Sequence, residues 1–254
     1  MQYENVIKSK ICELENTHDI RILFACESGS RAWGFPSPDS DYDARFIYVH
    51  SQDWYLSIHE RRDVVELPVD KMLDINGWDL RKVLRLVQKH NAAIYEWIQS
   101  PIVYAANDVF VKKFWEVAAA YFSPKATMHH YLSSAKKYYE ECVVDDMIKL
   151  KKLLYCIRVV LAGLWVAQHK TIPPMELDQL LKITEDQSVV VKVRELVDLK
   201  KLNNESYQHP REYALELFLK EGITHCENVS HSLPVSSQYD DAMLNAFFRT
   251  MFSA

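Results

Sequence analysis

With 254 residues, 48% of them hydrophobic and 26% charged, the chain has the balance of one large folded domain or two ordinary ones and leaves little room for long disorder. Its net charge of −5 argues against a protein that coats nucleic acid without selectivity, while a local basic cleft stays compatible with it. No apolar run approaches the roughly 20 residues of a membrane-spanning helix, so no membrane partner is expected.

The N-terminal residues mix charge into their apolar positions and lack the block of a secretory signal, which points to the cytoplasm. Val6, Ile7, Ile11 and Leu14 then fall at helical spacing and predict an amphipathic helix over 3–17. Arg21 to Cys26, RILFAC, reads as a short buried strand that runs into the polar loop ESGSRAWGFPSPDSD. Asp43 to His50 is a second strand and Arg61 to Pro68 a third. MLDINGWD extends the sheet before a helix that carries Leu80, Val83, Leu84 and Val87 on one face.

From about residue 107 the pattern becomes helical, with helices expected over 107–122, 125–140, 145–168, 174–182, 187–201, 210–221 and 238–250. Ser123-Pro124, Pro173-Pro174 and the stretch from Asn203 to Pro210 punctuate them. A strand-rich part followed by a helical part is an α+β arrangement, divided here into residues 1–106 and 107–254. Cys12, Cys26, Cys142, Cys156 and Cys226 form no CxxC pair and are expected to be buried free thiols.

Of the five glycines, Gly29 and Gly34 fall in one loop between two expected strands. Glycine permits positive φ and close backbone approach, and a Gly-Ser step that opens a helix offers N–H groups and a hydroxyl to phosphate oxygens. A plain tight turn is the alternative for Gly-Ser alone. Eleven positions after Ser30 comes Asp41, then Asp43, and the two-residue period of a strand puts both carboxylates on one face with Tyr42 on the other. Paired carboxylates repel unless a cation lies between them, and hard oxygen ligands select magnesium or manganese. The motifs HExxH, GxxxxGK[ST] and GxSxG are absent, so zinc peptidases, P-loop enzymes and serine hydrolases are not favoured.

Strand, Gly-Ser, a short helical turn and then Asp-x-Asp on the next strand resembles the DNA polymerase β-like nucleotidyltransferase superfamily. GSRAWGFPSPDSDYDAR is especially similar to its RNA-repair-pathway branch, and the likeness continues through LDINGWDLRKVLRLV, EWIQSPIVY and KKLLYCIRVVLAGLWV, about residues 20 to 170. The resemblance implies a nucleotidyltransferase domain with a short mixed sheet, followed by a helical domain. It implies further that Asp41 and Asp43 bind catalytic Mg2+ or Mn2+ and that Gly29 and Ser30, with Arg31 beside them, hold a nucleoside triphosphate. A third carboxylate on a neighbouring strand is expected to complete the metal site and to help accept the proton of the incoming hydroxyl. Asp74 is the first choice, Glu66 its rival, and Asp79 trails.

In the helical part, Lys151, Tyr155 and Arg158 at i, i+4 and i+7 share a face, with Lys152 beside it, that could grip phosphates or serve only as a solvated surface. Trp33 and Trp78 flank the expected site and are candidates for stacking on a base. The implied reaction moves a nucleoside monophosphate to an acceptor hydroxyl with release of pyrophosphate. An RNA 3′ end is the first acceptor, a protein or small molecule the second, and a non-catalytic nucleotide or RNA sensor the reading from another class. Nothing in the residue pattern sets an oligomeric state.

Overall fold

The computed structural model describes residues 2–68, 72–236 and 241–252. In chain order the elements are α1 (Gln2–His18), β1 (Ile20–Glu27), α2 (Gly29–Trp33), β2 (Tyr42–His50), α3 (Gln52–Tyr55), β3 (Val64–Glu66), β4 (Leu73–Asp79), α4 (Leu80–Gln88), α5 (Ala92–Trp97) and β5 (Val103–Ala106). They continue with α6 (Asp108–Tyr121), α7 (Pro124–Cys142), β6 (Met147–Lys149), α8 (Leu150–His169), α9 (Leu177–Leu180), α10 (Gln187–Leu202), β7 (Gln208–Pro210), α11 (Tyr213–Ser230) and α12 (Ala242–Thr250). A strand-rich beginning and a helical remainder give the α+β class that the residue pattern implies. The chain forms two compact units that are discontinuous in sequence: residues 1–29, 41–121 and 237–254 make the first, and 30–40 with 122–236 the second.

In the first unit the described strands form a mixed sheet in the order β3-β4-β2-β1-β5, with β2 and β4 parallel and the other neighbours antiparallel. α1 packs on β1 and β5, and its stripe of Ile7, Ile11 and Leu14 shares one core with Ala44, Phe46 and Tyr48 of β2 and Leu73 and Ile75 of β4. Strand alternation therefore turns Asp43 and Arg45, and Asp74 and Asn76, to the other side of the sheet. Gly77 is required on the core side, because a Cβ there would lie 2.1 Å from the Phe46 ring. α4 packs on β2 and β4 through its apolar stripe, and Asp79 caps its first turn by accepting from the Arg81 N–H at 2.8 Å.

In the second unit α7, α8 and α11 pack on one another and α10 lies against α8. α7 begins on Ser123, whose hydroxyl accepts from the Ala126 N–H, with Pro124 in the first turn where a missing N–H costs nothing. The helix expected over 145–168 starts only at Leu150, because Met147–Lys149 pairs antiparallel with Gln208–Pro210. That pairing joins segments about sixty residues apart, and local periodicity cannot register it.

Other elements also depart from the expected limits. The third strand is confined to Val64–Glu66, and α11 runs on to Ser230 because Ile223 and Cys226 extend its buried face. α3, α5 and β5 had no counterpart in the sequence pattern. The helix expected over 238–250 is seen as α12, with 238–240 lying outside the described residues. Cys12 is exposed, on the side of α1 away from Ile7, Ile11 and Leu14, whereas the other four cysteines are buried. Among the described residues no helix is long and apolar enough to cross a membrane.

Candidate active site

β1 delivers Glu27 and then Ser28 and Gly29 to the end of the sheet. Glu27 is fully buried, and each of its carboxylate oxygens has a donor. Oε1 accepts from the Asp43 N–H at 2.8 Å, and Oε2 from the Tyr104 hydroxyl. The Glu27 carbonyl also accepts from Ser100 Oγ at 2.6 Å, and the Ser28 N–H donates to the Asp43 carbonyl at 2.8 Å. Burial, reinforced by the Glu27 carboxylate, pushes the Tyr104 hydroxyl far above its ordinary pKa, so it remains a donor. Glu27 thus fixes the backbone from which the Asp43 side chain projects. Sequence reasoning passed over it; the one available signal was a glutamate placed directly after the apolar run from Ile22 to Cys26.

Removing that carboxylate strands two buried donors, each worth about 1–3 kcal/mol. Glu27→Ala is therefore expected to lose about 3 kcal/mol of stability in urea unfolding, with Glu27→Gln intermediate because its amide oxygen still accepts. A Glu27→Ala protein within about 0.5 kcal/mol of wild type would contradict this account.

Gly29 has φ +62°, a left-handed conformation, and a Cβ on it would lie 2.2 Å from Asp43 Oδ2. Glycine is what lets the carboxylate press against the backbone. On the sheet, the parallel register places Asp43 directly beside Asp74. Arg45, two residues along β2, reaches both: its Nη2 lies 3.1 Å from Asp43 Oδ1 and 2.7 Å from Asp74 Oδ2, and its Nη1 donates to the Asp74 carbonyl at 3.0 Å. Asp41 lies exposed just ahead of β2.

The rivals for third carboxylate sit elsewhere. Glu66 is exposed, pairs with Arg62 and lies opposite Asn76 rather than Asp74. Asp79, at the far end of β4, is held by the Arg81 N–H and the Tyr55 hydroxyl, and burial raises its pKa.

A guanidinium between two carboxylates neutralises them at close range. Arg45→Gln should leave Asp43 and Asp74 repelling each other. After allowance for their partial exposure, the expected loss is about 1 kcal/mol. Thermal melts should show that loss partly restored by added magnesium or manganese; a melting temperature unchanged from wild type would sink the clamp.

In the second unit the segment 30–40 is bound to the helices by its serines. The buried Ser30 hydroxyl donates to Ser40 Oγ at 3.2 Å, and Ser40 Oγ donates to Glu205 Oε1 at 3.0 Å. Lys151 lies 2.6 Å from the other Glu205 oxygen, and the Glu205 N–H donates to Asp39 at 2.9 Å. Arg31 donates to the Ser40 carbonyl at 2.6 Å. Lys200, itself buried, donates to Ser37 Oγ at 2.9 Å, and burial pulls its pKa down to about 8.

The helical face expected to grip phosphates meets this segment instead. Tyr155 packs edge-on against Trp33 and Phe35 at 5.1 and 6.0 Å between ring centroids. Arg158 is buried, lies 4.2 Å from the Trp33 ring centre and donates to the Met175 carbonyl at 3.0 Å. Lys152 pairs with Glu141 at 2.6 Å. Trp78, the second stacking candidate, lies against Trp97 with ring centroids 4.2 Å apart in the first unit.

A mixed sheet with a Gly-Ser helix after its first strand and Asp-x-Asp at the head of the second defines a polymerase β-like nucleotidyltransferase. The chain belongs to the RlaP family, described as the RNA repair pathway DNA polymerase beta family, whose profile matches residues 3–250. It is 35% identical over 240 residues to the Bacillus subtilis (strain 168) protein YcgL, covering 94% of this chain and 92% of that one. A stretch of 121 residues, 47% of the chain, is 26% identical to part of the Drosophila melanogaster tRNA (34-2'-O)-methyltransferase regulator WDR6, spanning 11% of that protein. The crystal structure of a nucleotidyltransferase-like protein from Exiguobacterium sibiricum 255-15 aligns over 96% of this chain and 80% of that one, with 9% identity and a TM-score of 0.29.

Nucleotidyltransferases of this kind typically use a divalent metal ion. The chemistry of Asp41 and Asp43 fits one: both are hard oxygen ligands, and Asp43 Oδ2 occupies the cradle that a side chain on residue 29 would fill. Among the described residues no group of three or more His, Cys, Asp or Glu side chains could hold a metal ion. Magnesium commonly binds through one or two carboxylates together with substrate phosphates.

Proposed function

We propose that the protein transfers a nucleoside monophosphate from a nucleoside triphosphate to the 3′ hydroxyl of an RNA, with release of pyrophosphate. The observation that carries this reading is the approach of the Asp43 carboxylate to the backbone of Gly29 at the head of the Gly-Ser helix, with Asp41 two residues away. The description of the family favours RNA as the acceptor.

Asp41 and Asp43 would hold magnesium or manganese, which when bound offsets the triphosphate charge and lowers the pKa of the attacking hydroxyl. Gly29 and Ser30 offer backbone N–H groups and a hydroxyl to the triphosphate oxygens. Arg31 steadies the same turn through the Ser40 carbonyl. Within the second unit, Tyr155 and Arg158 hold the Trp33 ring in place. Asp74, held by Arg45 through Oδ2, offers Oδ1 to the proton of the incoming hydroxyl.

The test incubates purified protein with each α-labelled nucleoside triphosphate, magnesium or manganese, and a pool of small RNAs. Labelled RNA that is missing in Asp41→Asn supports the reading and names the base. Label on protein alone would replace RNA by a protein acceptor, and triphosphate binding without any label would favour a sensor.

A further inference from the structure

At the opposite ends of β2 and β4 from Asp43 and Asp74, the first unit carries a hollow of about 250 Å³. Trp54, Tyr55, Arg61, Arg62, Arg81 and Arg85 are among its lining residues, so four of the chain's eleven arginines converge on one place. Glu60 and Asp63 are the acidic residues in that lining, which leaves it net cationic in a protein of net charge −5. Asp63 is paired with Lys82 at 3.0 Å, and Arg62 with Glu66.

The other three arginines belong to a different kind of arrangement. Arg61 and Arg81 lie 5.6 and 5.9 Å from the centre of the Trp54 ring, and Arg81 lies 5.1 Å from that of Tyr55. Arg61 and Arg85 are exposed. His50 stacks on Trp54 at 3.9 Å with the rings 8° from parallel, which stiffens the platform. A guanidinium set against an aromatic ring is oriented while its N–H fork remains suited to a phosphate; Arg81 also faces the Asp79 carboxylate, which leaves the exposed Arg61 and Arg85 as the main phosphate-binding pair. Ile58 lines the same hollow yet is 93% exposed, an apolar surface among the cations. Oriented cations with the exposed Ile58 among them in one concavity match a single strand of nucleic acid, with phosphates for the former and an apolar base or sugar surface for the latter.

We propose that this hollow is a second RNA site, which grips the phosphodiester backbone of the single strand upstream of its 3′ end. From Asp43 to His50 the strand rises about 23 Å, so the hollow would meet nucleotides several positions back from the reacting end. The inference rests on RNA being the acceptor.

The test measures fluorescence anisotropy of a long single-stranded RNA with a 3′-deoxy end, against rising potassium chloride, for wild type, Arg61→Gln/Arg85→Gln and Arg61→Lys/Arg85→Lys. Transfer to a long RNA and to a trinucleotide is followed alongside. The glutamine pair should weaken binding roughly ten-fold at low salt and reduce the slope of log K against log salt by about 1.4, the share of two single-strand phosphate contacts. The lysine pair, which keeps both charges, should preserve that slope. Transfer to the long RNA should fall with binding, and transfer to the trinucleotide should not.

Wild type that labels RNA while the glutamine pair binds with unchanged affinity and slope would overturn the inference and leave the proposed reaction standing. RNA binding that depends on the two arginines in a protein that labels no RNA would remove RNA as the acceptor and overturn the placement of this hollow upstream of a reacting 3′ end. Arginine-dependent binding to anionic lipid vesicles, without RNA binding, would overturn the RNA assignment.

Discussion

A folded Asp41→Asn protein is expected to transfer nucleotide at least about a thousand-fold more slowly than wild type, a change of ~4 kcal/mol in the barrier. Asp41 lies exposed at the head of β2, two residues from Asp43, and carries none of the core. The amide keeps the shape and removes a negative charge next to another, so the melting temperature should hold or rise slightly in the absence of metal. Single-turnover transfer and thermal melts, run on the same preparation, check both halves. Retained turnover in a folded Asp41→Asn protein would end the assignment of the acidic pair.

Gly29→Ala tests the same site from the backbone side and should differ in kind. A β-carbon at φ +62° costs about 1–2 kcal/mol in conformation alone. It would also lie 2.2 Å from Asp43 Oδ2, so the carboxylate must move, and with it the contact to Arg45. The expected result is a loss of about 2 kcal/mol, which lowers the melting temperature by roughly 4–8 °C in a protein of this size. Displacement of a reacting group by about 1 Å should reduce transfer on the order of a hundred-fold. The substitution therefore lowers stability and activity together, whereas Asp41→Asn lowers activity alone. A Gly29→Ala protein with wild-type melting and turnover would show that Asp43 does not need the space.

The parts of the site that could be read in advance are those that local rules govern. Gly29, Ser30, Asp41 and Asp43 lie within fifteen positions of one another, but β2 starts at Tyr42 and leaves Asp41 just ahead of it, so strand alternation governs Asp43 and not Asp41. The place of Asp74 in the last sheet-forming stretch before a helix makes it a candidate, and the parallel register sets it beside Asp43. Arg45 follows Asp43 by two residues, so the same alternation could have revealed it as a neutralising partner, but attention to carboxylates hid it. Glu27 was not readable, because its burial depends on Tyr104, which lies 77 positions away. The clasp of Ser40 by Glu205 spans 165 positions, and the seating of Trp33 by Arg158 likewise depends on tertiary folding. For the same reason Lys151, Tyr155 and Arg158 looked like an open cationic face. The helix period fixed which of them are neighbours and was silent about what covers them.

The parallel pairing of β2 with β4 has a consequence for the accuracy of the chemistry. Sliding β4 by one residue would set Leu73 or Ile75 beside Asp43 and turn Asp74 inward among Ile7, Ile11 and Phe46. An apolar side chain would then face the arginine, and a bare charge would be driven into oil. Neither is tolerable, so a one-residue slip is penalised on both surfaces at once. The apolar layer thus acts as a vernier, and the spacing of the acids is inherited from the greasy side chains behind them.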